Sequence, residues 1–274
     1  MLRTRIITAS ILAPIAVALI WFLPVSLFAE AMLLLMVIAL SEWNGLTRKS
    51  ITGFVVGALG LLIVAVILFV LDAPVLTNSI PALIPALLIA GTLFWITQIV
   101  VLSKGIDYRR SLLTEWVLGI AILLFAWAAM VWIRMHEPDG HIKVLIAIIV
   151  VWAADTFAYF AGVNFGRRKL APSISPGKTV EGVAGGLLGA VLTAWFGAFL
   201  LLNLSFSALI AWLVAAFFAA LVSVAGDLYV SRLKRHAGVK DSGRLLPGHG
   251  GLLDRIDGLL AAMPVFACVW WLLS

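Results

Sequence analysis

Nine long apolar runs, joined by short polar connectors, take up most of the 274 residues and constrain the fold more than any other feature. They cover approximately Ile6 to Leu23, Ser26 to Leu40, Phe54 to Leu71, Ile80 to Leu102, Trp116 to Ile133, Val144 to Val163, Val183 to Leu204, Ala208 to Val230 and Ile256 to Leu273. A hydrocarbon core of about 30 Å takes roughly 20 helical residues, so each run reads as a membrane span. Backbone groups in lipid must pair within the protein. The expected fold is therefore all-α, a polytopic integral membrane protein with about nine transmembrane helices. The second run is the shortest and carries Glu30, so it is expected to tilt, to pair tightly with the first, or to sit partly in the interface. Met1 to Leu23 has the basic start and apolar run of a secretory signal, and Ala29-Glu30-Ala31 mimics a cleavage site. Another apolar run follows at once, so the first is read as a retained span.

With 64% hydrophobic and 12% charged residues, the chain is more apolar than one soluble core requires. Its net charge of +6 would point to nucleic acid in a soluble protein. Here the basic residues fall in the connectors instead, where they report topology first and binding of anionic headgroups or nucleotides second, so no nucleic-acid partner is expected. Placing the N-terminus in the cytoplasm puts all of the 19 Lys and Arg on that side except Arg134 and Lys143, whose connector also carries Glu137 and Asp139. The positive-inside rule thus selects N-in, C-out, in a bacterial cytoplasmic membrane with the polar connectors of the second half facing the cytoplasm. The single cysteine, Cys268, lies in the last apolar run and carries no redox information.

The chain changes character near residue 144. Spans one to five, residues 1–143, are mostly Leu, Ile, Val and Ala and read as packing and lipid-facing helices. Residues 144–274 carry Asp155, Tyr159 and Asp227 inside apolar runs, and two polar cytoplasmic loops, 166–181 and 231–255, so this part is read as the catalytic region. The glycines from Gly182 to Gly189 are read as points of close helix approach, since packing drives association in lipid. No internal repeat is evident, which counts against an inverted-repeat transporter.

Ionisable residues in spans are costly and point to function. Asp155 lies about two turns before the cytoplasmic end of its span, with Trp152 and Tyr159 on the same face. Asp227 lies one turn before the end of the eighth run, with Ser231 at i+4 on its face. The plainer use of either is as partner to an arginine or a backbone group. From Ser231 to Arg255 come Arg232, Lys234, Arg235, His236, Lys240 and Arg244, together with Asp241 and His249. Gly243, Pro247, Gly248, Gly250 and Gly251 make a tight turn that suits approach of main-chain N–H groups to phosphate, just before a helix N-terminus. Asp254 and Asp257 are three residues apart and share one face, with Arg255 directed elsewhere. Alone, either would be a helix-capping acid; together with Asp227 they suggest Mg²⁺, which takes oxygen ligands and bridges carboxylate to phosphate. His249 is equally a base, a phosphate donor or a turn residue. In the other loop Ser173, Ser175 and Thr179 offer hydroxyls and Lys178 a charge. Gly177-Lys178-Thr179 lacks the upstream glycine and strand of a phosphate-binding loop, so only generic anion binding is read there.

At these residues the chain resembles the phosphatidate cytidylyltransferase (CDP-diacylglycerol synthase) family. The signature S-x-x-K-R-x4-K-D-x-G-x2-L-P-G-H-G-G-x-x-D-R-x-D is filled without a gap by Ser231, Lys234, Arg235, Lys240, Asp241, Gly243, Leu246, Pro247, Gly248, His249, Gly250, Gly251, Asp254, Arg255 and Asp257. Gly226-Asp227-Leu228, Asp155 to Tyr159 and Ser175 to Gly182 also look like the family's pattern, except that Gly177 stands where lysine is usual. The motifs lie within Val144 to Leu273; the first half is similar only in hydropathy and length.

The resemblance implies an Mg²⁺-dependent nucleotidyltransferase of phospholipid biosynthesis, turning CTP and phosphatidate into CDP-diacylglycerol and pyrophosphate at the bilayer surface. It implies catalytic roles for Asp227, Asp254, Lys178, Lys240, Asp241 and His249. Substrate contacts fall to Ser175, Lys178, Thr179, Ser231, Lys234, Arg235, Lys240, Arg244, Gly250 and Gly251. Asp227 and Asp254 lead as metal ligands, with Asp257 and Asp155 as further ligands or orienting groups; a second cation and a homodimer are left open. The rivals are a related CTP-dependent enzyme acting on another lipid phosphate or a polyprenol, and an anion transporter. A transporter would place its polar groups near the midplane on broken helices, whereas these lie toward one surface.

Overall fold

The computed structural model describes residues 2–47, 51–72, 83–104 and 112–274. Among them are nine α-helices: α1 (Leu2–Phe22), α2 (Val25–Thr47), α3 (Ile51–Asp72), α4 (Leu83–Ser103), α5 (Leu112–His136), α6 (Gly140–Phe165), α7 (Val180–Leu201), α8 (Phe206–His236) and α9 (Leu253–Leu273). The only strands among the described residues are β1 (Lys169–Ala171) and β2 (Ser175–Thr179), an antiparallel pair. Seven helices are long and apolar enough to cross a membrane, and the described apolar stretches of the other two, Ser10–Phe22 and Phe54–Ile63, are shorter. The protein is an all-α polytopic membrane protein. Arg48, Lys49, Arg109 and Arg110, and positions 80–82 of the fourth expected run, lie outside the described residues.

Three elements differ from the sequence expectation. The second run continues through Ser41-Glu42-Trp43-Asn44 to Thr47, because Glu42 and Trp43 find hydrogen-bond partners elsewhere in the bundle. The eighth helix runs on to His236, so Ser231, Arg232, Lys234 and Arg235 are helical and the loop proper is 237–252. Cations in a last helical turn complement the partial negative charge of the helix C-terminus. The helix then stops at Gly238, at φ 69°, where Val239 N–H bonds the Lys234 carbonyl at 2.9 Å and Gly238 N–H that of Arg235 at 3.1 Å. This pair of hydrogen bonds across a left-handed residue is what glycine permits. Third, the loop after α6 is a β-hairpin with Gly177 inside β2.

Two helix pairs carry the site. Along α6 and α7 the glycines bring backbones together: a methyl group on Gly186 would lie 2.8 Å from the Ala154 carbonyl, and one on Gly182 2.9 Å from that of Ala158. Helix contact is thus their use, as small residues provide in lipid. The second pair is α8 and α9, with α9 also packed by α4 and α5 from the first half. Pro264 within α9 has no N–H to give the Leu260 carbonyl, and the Trp95 indole of α4 donates to that oxygen at 3.1 Å. A neighbouring helix thereby satisfies the freed backbone group. The indoles of Trp127, Trp43 and Trp212 similarly reach the carbonyls of Ala29, Glu115 and Ala194.

Candidate active site

The end of α6, the hairpin, the start of α7, the end of α8 and the start of α9 enclose a cavity of about 800 Å³ at one end of the bundle. That volume lies within the range of small-molecule sites. Asp155, Asp227, Asp241, Asp254 and Asp257 line it, facing Lys178, Lys234, Arg235, Lys240 and Arg255. Val163, Val183 and Leu187 add apolar wall.

Asp227 is held from two sides. Lys178 reaches its Oδ2 at 2.6 Å, and Ser231 donates to Oδ1 at 3.1 Å across the i,i+4 spacing. The hairpin sets the lysine: β2 ends at Thr179, whose hydroxyl caps α7 by accepting from Gly182 N–H at 3.1 Å. The hairpin's base is fixed by Glu181, which accepts from the backbone N–H groups of Arg167 and Arg168 at 3.0 and 3.1 Å.

Asp254 is enclosed differently. Lys234 donates to Oδ1 at 2.6 Å, while Oδ2 accepts from Ser242 N–H at 2.8 Å, Ser242 hydroxyl at 3.0 Å and Gly251 N–H at 3.0 Å. A metal on Asp254 would have to displace Lys234, just as one on Asp227 Oδ2 would have to displace Lys178. The glycine-rich turn therefore closes around a carboxylate of the protein, and the Gly251 amide expected to meet phosphate is turned to Asp254.

Of the residues singled out from the sequence, Asp155, Asp227, Asp241, Asp254, Asp257, Ser175, Lys178, Thr179, Lys234, Arg235 and Lys240 share the cavity. Ser231, Arg244, His249, Gly250 and Gly251 are not on its wall. His249 is a turn residue, its N–H bonding the Leu246 carbonyl at 2.9 Å, and its Nδ1 is buried without a hydrogen-bond partner. Arg255, expected to point away, also lines the cavity and lies within electrostatic reach of Asp155.

Among the described residues no three carboxylate, imidazole or thiol groups converge on one metal-binding point. Mg²⁺ does not require that, since it commonly takes one or two protein carboxylates and completes its shell with water and substrate phosphate. Asp155, Asp227 and Asp257 lie within electrostatic reach of one another in the cavity and offer that donor set. One residue the sequence reading missed is Glu42, 9% exposed on α2, which accepts from Ser242 hydroxyl, Leu252 N–H and Leu253 N–H. Its signal was a carboxylate in the polar tail of an otherwise apolar run.

Residues 3–273 match the family described as the cytidylyltransferase family. The chain is 38% identical over 275 residues to a phosphatidate cytidylyltransferase of Pseudomonas aeruginosa, covering 99% of this chain and 97% of that protein. It is 38% identical over 267 residues to the enzyme of that name from Brucella abortus, covering 95% and 90%. It is also 40% identical over 159 residues to the one from Thermotoga maritima, covering 57% and 59%.

Proposed function

The chain belongs to the cytidylyltransferase family, and from that premise we propose that it is an integral membrane CTP:phosphatidate cytidylyltransferase, forming CDP-diacylglycerol and pyrophosphate. The observation that carries this reading is the cavity at the end of the bundle, where paired lysines and aspartates adjoin apolar wall. A water-soluble triphosphate and a lipid headgroup both find complementary surface there.

A phosphatidate oxygen attacks the α-phosphorus of CTP as the bond to the β-phosphate bridging oxygen breaks, and pyrophosphate leaves. Nucleotidyl transfer needs positioning and charge neutralisation rather than a covalent protein nucleophile. Lys178, Lys234, Arg235, Lys240 and Arg255 supply positive charge along the wall, dividing between triphosphate and lipid phosphate. Asp227, with Asp257 or Asp155, would hold Mg²⁺, which supplies further neutralisation of phosphate charge when bound. Lys178 and Lys234 keep Asp227 and Asp254 from standing as uncompensated charges. The excess of basic residues in the connectors on the cavity side favours an N-in orientation, which would put the cavity on the cytoplasmic side of a bacterial inner membrane, where CTP is available.

Purified protein in nanodiscs, given labelled CTP, Mg²⁺ and a panel of lipid phosphates, is expected to label phosphatidate. Incorporation only into a polyprenyl or other non-glycerolipid phosphate would sink the choice of substrate.

A further inference from the structure

The N-terminal turn of α9 carries Asp254, Arg255 and Asp257 into the cavity, yet it has no cap of its own. A helix start leaves several N–H groups unpaired, and the residue in the capping position, Leu252, has no side-chain acceptor. The cap comes from the opposite half of the molecule. Glu42 of α2 accepts from Leu252 N–H at 2.9 Å on Oε1 and from Leu253 N–H at 2.8 Å on Oε2. A carboxylate there also complements the positive end of the helix.

The contact extends into the site. Ser242 hydroxyl lies between two carboxylates, 2.8 Å from Glu42 Oε2 and 3.0 Å from Asp254 Oδ2. With one proton to give, that hydroxyl links the placement of the two acids. Asp254 in turn holds Lys234 on its other oxygen. The turn itself is shaped around Glu42. A methyl group on Gly243 would fall 2.7 Å from Glu42 Oε1, and one on Gly251 would meet Oε2 and the Ser242 hydroxyl. Glu42 is not on the cavity wall, so it acts through the groups it holds.

We propose that Glu42 is a positioning residue for cytidylyl transfer: capping α9 from α2 and sharing Ser242 with Asp254, it sets where the Asp254–Lys234 pair and Asp257 stand in the cavity. The catalytic part of this inference rests on the functional reading above; the anchoring part does not. Glu42→Gln keeps the shape but turns an amide NH₂ toward a backbone N–H or the Ser242 hydroxyl. Gly243→Ala leaves Glu42 in the chain and pushes its carboxylate aside.

The test uses the full chain in nanodiscs, with CTP and phosphatidate varied independently and kcat expressed per folded molecule. Displacement of a positioned group by about 1 Å can cost about a hundredfold in rate, so both variants are expected to lower kcat at least about tenfold while each KM moves less than about threefold. Hydrogen exchange in residues 240–254 is expected to quicken at least about tenfold in Glu42→Gln, with the remaining helices unchanged. Unaltered exchange overturns the anchoring. Faster exchange with kcat per folded molecule retained makes Glu42 merely structural and overturns the catalytic role. Wild-type protein inert toward CTP and phosphatidate overturns the functional reading and the catalytic role with it, while the exchange result still judges the anchoring.

Discussion

Asp227 and Asp254 each meet a lysine at 2.6 Å, but their surroundings assign them different work. The Lys178–Asp227 pair is partly open, at 23% and 31% side-chain exposure, and the Lys234–Asp254 pair is nearly closed, at 12% and 4%. Breaking a closed pair by removing one charge leaves the other buried and uncompensated, a cost of about 3 kcal/mol or more, whereas an open pair contributes about 1 kcal/mol or less. Asp254→Asn is therefore expected to lower both turnover and unfolding temperature in detergent. Asp227→Asn should abolish Mg²⁺-dependent turnover with the unfolding temperature nearly unchanged and insertion intact; near-normal activity in Asp227→Asn would remove it from the metal site. The difference was not legible in the sequence, where both were simply acids beside a basic loop. The Ser231–Asp227 contact was legible because i,i+4 spacing is local. The enclosure of Asp254 was not, since half its geometry depends on a hydroxyl that also faces Glu42, 200 residues earlier.

At the scale of elements, the length of apolar runs located the helices and misplaced their ends. It stopped the second helix at Leu40 and the eighth at Val230, because a polar residue past an apolar run looks like a loop until a partner for it is known. The hairpin escaped for a related reason: Ser175 to Thr179 has no alternation of apolar and polar residues, and its burial is set by packing beside α6 and α7. Helix α9 shows the converse, a strong helix despite an internal proline, because α4 supplies the missing donor. Trp95→Phe removes that donor and should cost about 0.6 to 1 kcal/mol, the usual worth of an interhelical hydrogen bond in a membrane protein. In a Pro264→Ala background the alanine N–H can take the Leu260 carbonyl, so the same substitution should cost only its packing. A double-mutant cycle of unfolding free energies would show this as a coupling energy, and additive costs would mean that the indole bond contributes nothing to α9.

Across the whole molecule, the cavity-lining residues all lie between Ala154 and Asp257, while residues from earlier in the chain help to hold them. Glu42, Trp95 and the buried face of α5 all brace α9, so packing by the first half reaches the helix that carries Asp254 and Asp257. Charge is divided along the other axis. The cavity end carries Lys178, Lys234, Arg235, Lys240 and Arg255, while the α5–α6 connector at the far end has Lys143 in a 2.6 Å pair with Glu137, at 6% and 13% exposure. Arg134 donates there to the Leu23 carbonyl at 3.1 Å. The Lys143 charge is thus cancelled by a neighbouring acid, which strengthens the asymmetry that the positive-inside rule reads. Two exposed positions near opposite ends, Val239 and Pro138, allow that orientation to be measured. In a Cys268→Ala background, Val239→Cys should react with a membrane-impermeant maleimide in inside-out vesicles and be protected in right-side-out ones, and Pro138→Cys should do the reverse. The opposite pattern would place the cavity outside, away from cytoplasmic CTP, and the proposed reaction would lose its nucleotide supply.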